Sequence, residues 1–118
     1  MHLNMTTLNI NQIIKNDSAV SSDDGETVYQ LILESIRAKE ITELDFAGIN
    51  IITTAFLNSA IGQLYDVFSS EELNEYIVLK NVPREDTIQF KKVIERAKEY
   101  FLNRKGLEGN ANSNIYGN

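Results

Sequence analysis

The chain has 118 residues, 42% hydrophobic and 24% charged, with a formal net charge of −6. Those values fit one globular domain with its own core, and they exclude a disordered chain or a two-domain protein. With no cysteine, neither a disulfide nor a thiolate zinc site can form. The acidic balance disfavours nucleic acid or anionic lipid as a partner. No basic region followed by an apolar run marks a signal peptide, and no stretch approaches the roughly 20 apolar residues of a membrane span. The expectation is a cytoplasmic chain without membrane insertion, metal or cofactor.

In chain order, Thr6, Leu8 and Ile10 alternate with polar residues and Ile13–Ile14 follow, which predicts an early strand or a pair of short strands. The polar stretch from Asp17 to Gly25 reads as a connection. A helix is expected from Glu26, with Val28, Leu31, Ile32, Ser35 and Ile36 on one face and Ser22 or Asp23 as candidate caps. Ile41 to Phe46 reads as a strand from which Thr42 and Glu43 look weakly outward. It ends in Asp45 and turns through Gly48 and Asn50. A second helix is predicted from Thr54 to Phe68, burying Leu57, Ile61, Leu64 and Phe68. Ser69 and Glu72 have the spacing of a capping box opening a short helical turn through Glu75, and Tyr76 to Leu79 is a β-rich run. Pro83 opens a final helix that buries Phe90, Val93 or Ile94, Ala97 and Phe101 and stops at Gly106. Residues 1–105 are thus expected to form one α/β domain, a mostly parallel or mixed central sheet with helices packed on it, and 106–118 a flexible tail.

Charge is unevenly spread. Residues 1–82 hold 4 Lys/Arg against 12 Asp/Glu, whereas residues 83–105 hold 7 against 4. The cations of the last helix alternate with acids, the pattern of a solvated face, with a surface for nucleic acid or an acidic partner as the alternative.

In an open α/β sheet, sites gather beyond the carboxyl ends of the strands, which directs attention to residues 45–54 and the helix that follows. Asp45 can accept hydrogen bonds from turn amides or hold a cation. Phe56 cannot share the core stripe that Leu57 occupies and so either packs on a strand or stands out as a docking aromatic. Asn58, Ser59, Gln63 and Asp66 form a polar helix face that a partner could read. Thr53 and Thr54 have no histidine or lysine beside them, and no phosphate-binding glycine loop occurs, so catalysis is not expected. His2 has no assigned role.

The run LDFAGINIITTAFLNSAIG, through Asp45, Phe46, Gly48, Thr53, Thr54, Phe56, Asn58, Ala60, Ile61 and Gly62, resembles the STAS family of sulfate-transporter and anti-sigma-factor-antagonist domains. It is closer still to a STAS-like family of unknown function. The resemblance extends in outline over residues 6–103 and implies an α/β domain that binds a protein through Asp45, Gly48, Asn50, Thr53, Thr54, Phe56, Asn58, Ser59 and Gln63. The implied partner is a histidine-kinase-type ATPase or an anti-sigma-like protein; a small-ligand or nucleotide sensor is the alternative.

In STAS antagonists the helix opens with a D-S-S-G element whose second serine is phosphorylated. Thr53 stands in place of the acid, Thr54 of the first serine, Ala55 of the phosphorylated serine and Phe56 of the glycine. Alanine has no hydroxyl, so the usual switch cannot operate there. Thr54 is the neighbouring acceptor, favoured by the helix N-terminus if phosphorylated and otherwise a helix cap.

Overall fold

Ile10, Ile13 and Ile14 stand at i, i+3 and i+4, and that spacing produces the first departure from expectation. In the structure, a computed structural model that describes residues 4–113, strand β1 (Met5–Asn9) leads into a short helix, α1 (Ile10–Ile14). Asn9 caps it by accepting from the Gln12 N–H at 2.9 Å. Ile13–Ile14 are therefore helical rather than a second strand, and Ile10 is completely buried.

The supposed connection after Asp17 contains strand β2 (Ser18–Ala19) and the start of helix α2 (Ser22–Arg37). The cap is Ser21, not Ser22 or Asp23; its Oγ accepts from the Asp24 N–H at 3.0 Å. Asp23 and Asp24 fall in the first turn, where carboxylates complement the helix dipole. The buried face runs through Val28, Tyr29, Ile32, Leu33, Ser35 and Ile36, so Tyr29 and Leu33 replace the half-buried Leu31.

Strand β3 (Ile41–Asp45) is the centre of a parallel sheet ordered β1-β3-β5, with β5 at Ile77–Lys80. Strand β4 (Ile51–Ile52) pairs in parallel with β2 as a second, two-stranded sheet. Thr42 does not look outward. It is fully buried and donates to Ser35 Oγ at 2.6 Å, which satisfies two hydroxyls that would be costly to bury alone.

The second helix is one run in three pieces: α3 (Thr54–Leu57), a π-helical turn (Asn58–Gly62) and α4 (Leu64–Val67). The π turn carries an i to i−5 bond, Gln63 N–H to Asn58 C=O at 3.1 Å. Its inward residues are Phe56, Leu57, Ala60, Ile61 and Leu64, while Phe68 is half-buried beyond its end. It lies so close to α2 that a Cβ on Gly25 would sit 2.6 Å from the Phe56 carbonyl oxygen and 2.7 Å from Ser59 Cβ.

Ser69 and Glu72 make the expected reciprocal capping box, both bonds at 3.0 Å, and open α5 (Ser70–Tyr76). After Pro83 a 3₁₀ turn (Arg84–Asp86) enters α6 (Thr87–Ser113), which buries Phe90, Val93 and Ala97 and leaves Ile94 and Phe101 half-buried. The Phe90 ring meets Phe46 edge-on at 5.1 Å. α6 does not stop at Gly106 but continues to Ser113; of the expected tail, 114–118 lie outside the described residues. No helix among the described residues is long and apolar enough to cross a membrane.

Candidate functional site

Residues 45–54 leave the carboxyl end of β3 and are tied down at each polar step. Asp45 Oδ1 accepts from the Ala47 N–H and from Asn81 Nδ2, each at 2.9 Å. Those bonds, Asn81's first, hold the Asp45 carboxyl below its ordinary range, with the charge of Lys80 adding to them. Gly48 has φ +81°, a conformation that favours glycine, and its carbonyl accepts from Asn11 Nδ2 at 3.0 Å. The Asn50 N–H and Nδ2 both bond Asp17, to its carbonyl at 2.7 Å and its carboxylate at 3.0 Å. The loop is thus a pre-formed rim, fixed to α1, to the segment before β2 and to the turn after β5.

At the end of the rim the two threonines divide their duties. Thr53 is the cap: its Oγ1 accepts from the Phe56 N–H at 3.2 Å and donates to the Val20 carbonyl at 2.7 Å. Thr54, expected as the cap, is instead the first residue of α3 and is exposed. Its Oγ1 donates to Gln89 Oε1 at 3.0 Å, and Gln89 Nε2 in turn donates to the Ile52 carbonyl at 3.1 Å and to Asp86 at 3.2 Å. Ala55 is exposed and carries only a methyl group.

The polar face of the helix splits. Asn58 is exposed and lines a groove against α6. Ser59 turns the other way and donates to the Ser22 carbonyl at 2.8 Å. Gln63 Nε2 reaches Glu26 at 2.9 Å and the Ser59 carbonyl at 2.8 Å, and this bond together with one from Gln30 holds the Glu26 carboxyl below its usual range. Asp66 pairs with Arg104 at 2.8 Å. Phe56, a candidate docking aromatic, is wholly buried and is unavailable to any partner in this conformation. Asp45, Gly48, Asn50, Thr54 and Asn58 therefore present accessible surface, Ser59 spends its hydroxyl on α2, and Gln63, though bonded to Glu26 of α2, still lines the groove against α6.

Sequence reading missed Gln89, Lys92 and Arg96, which line one cleft of about 410 Å³ together with Thr54. Their three-and-four spacing was visible, but only packing places them opposite Thr54. Among the described residues no group of three or more His, Asp or Glu side chains is placed to hold a metal.

A family described as a STAS-like domain of unknown function matches residues 24–87, from the first turn of α2 to the first residue of α6. No curated protein and no solved structure matches the chain.

Proposed function

The chain belongs to the family of STAS-like domains of unknown function, and from that premise we propose that it is a non-enzymatic regulatory module that binds another protein through the 45–54 rim and the helix entered at Thr54. One observation carries this reading. Three large apolar side chains stand in water at the same corner: Val20 at 40% exposure, Ile51 at 54% and Ile88 at 68%. Their segments are joined by hydrogen bonds, since Thr53 bonds the Val20 carbonyl and Gln89 bridges Thr54 and the Ile52 carbonyl. Exposed apolar groups inside a polar rim are the anatomy of a protein interface. By analogy with STAS antagonists the partner is a histidine-kinase-type ATPase or an anti-sigma-like protein of the cytoplasm.

The test is capture from native extract by the tagged chain. A protein retained by the wild type and lost with Ile51→Asp and with Thr54→Glu, but kept with Val67→Asp on α4, is the expected result. Retention by all three variants sinks the assignment of this surface.

A second reading, a small-ligand or nucleotide sensor, draws on the cleft that sets Lys92 and Arg96 near Thr54. A ligand that favours the native state must raise the melting temperature, so a nucleotide panel that leaves it unchanged removes this reading. A third, phosphorylation at Thr54, would break the bond to Gln89 Oε1 and place negative charge in the same cleft. Intact mass after expression with a candidate partner kinase decides it.

A further inference from the structure

Ile88, Lys92, Arg96 and Tyr100 recur every four residues and form one stripe of α6. Thr54, Asn58 and Gly62 form the matching stripe on the facing helical run. Between the two lie two adjoining cavities of about 410 and 290 Å³, and Arg96 lines both. Along α6 they read as one groove with an exposed apolar side chain towards each end, Ile88 at 68% and Tyr100 at 59%, and the cations Lys92 and Arg96 between them. Arg104, one turn beyond, lies 5.8 Å from the centroid of the Tyr100 ring and pairs with Asp66. The described ion pairs are Lys80–Glu43 and Arg104–Asp66, so neither Lys92 nor Arg96 is neutralised by one. Glu85, at the near end, is the one carboxylate that lines either cavity.

We propose that this groove holds a linear acidic segment of the partner protein, its carboxylates on Lys92 and Arg96 and its apolar side chains against Ile88 and Tyr100. The proposal rests on the protein-binding reading and names what the partner brings. Charge complementarity selects the occupant: Lys92 and Arg96, exposed and in neither described ion pair, attract carboxylates at contact, while the net charge of −6 limits the occupant to a short acidic segment rather than a strongly acidic surface. Dimensions select a chain segment over a compact anion. Twelve helical steps from Ile88 to Tyr100 span about 18 Å, the length of about five or six extended residues. A single phosphate would use the middle and leave both apolar ends uncovered. The α6 stripe lies beyond residue 87, outside the part of the chain that the family match covers.

The experiment is selection of linear random peptides on the full chain, followed by titration of a winning peptide. Expected are winners with two or more Asp/Glu between apolar residues, affinity that falls with salt, and a loss of at least about tenfold in the Lys92→Glu/Arg96→Glu variant. That variant should melt as the wild type does; if it does not, Ile88→Ser and Tyr100→Ser replace it and must weaken the same peptide. Winners without acidic residues, winners indifferent to all these variants, or no winners overturn the proposal. So does inorganic phosphate or ATP that competes fully with the peptide at micromolar concentration, or self-association abolished by the double reversal. A natural partner captured through Ile51 and Thr54 yet indifferent to Lys92 and Arg96 overturns the groove and leaves the protein-binding reading standing. A partner lost with none of these variants overturns both.

Discussion

The helical run Thr54–Val67 has two flanks that were finished differently. On the α2 side the backbones close until Gly25 has no room for a Cβ, and Ser59 and Gln63 spend their polar groups on Ser22 and Glu26. On the α6 side the contact at Thr54 is made by one glutamine, and beyond it the helices leave a groove lined by Asn58, Arg96 and Tyr100. Small residues let two helices approach; long exposed ones hold a gap open. The closed flank stabilises the fold, and the open flank carries the groove to which the proposed partner is assigned.

The comparison can be broken most directly at its axis. Phe56→Ala should cost about 3–5 kcal/mol in urea unfolding, as for a fully buried aromatic, and a cost under about 1 kcal/mol would return Phe56 to the surface. Gly25→Ala should cost about 1–3 kcal/mol by overpacking, since the nearest atom is a backbone oxygen that cannot swing away. An unchanged midpoint would show that the closed flank has slack. The threonines sharpen the boundary between the flanks. Thr53→Ala should lose about 0.5–2 kcal/mol as a helix cap, while exposed Thr54→Ala should stay within about 0.5 kcal/mol. The reverse order would restore Thr54 as the cap.

The smallest effect concerns the rim. Because the folded Asp45 carboxyl is held below its ordinary value, its contribution to stability is present above the unfolded pKa and is lost as pH falls through the folded one. Carboxyl titration followed by NMR should show Asp45 low in the wild type and moved upward in Asn81→Ala; an unmoved value would mean that Asn81 is not the main cause.

Several elements were legible because local chemistry and final structure agree. The capping box at Ser69 and Glu72 is satisfied within four residues, and the strand expected over Ile41 to Phe46 is β3, one residue shorter. α1 was legible too, since Ile10, Ile13 and Ile14 carry helical spacing behind the capping Asn9, but the alternation of Thr6, Leu8 and Ile10 masked it. The start of α2 was read too late because Asp23 and Asp24 pass for a polar loop when they are a favourable first turn. Gly106 did not end α6, as a glycine inside a helix costs about 1 kcal/mol and is no stop unless the chain adopts a left-handed turn there.

By itself the sequence determined the α/β class and the strand-to-helix passage at 41–68, because each rests on residue type and short spacing. Tertiary structure alone decided that Thr53 caps while Thr54 meets Gln89, that Phe56 is core, and that the polar helix face divides between α2 and α6. It also decided that Lys92 and Arg96 face a groove. Apart from the cap bond of Thr53 to the Phe56 N–H, these depend on contacts between residues more than thirty positions apart, such as Gln89 with Thr54 and Gln63 with Glu26. Helical periodicity says which residues share a face; only packing says what that face meets.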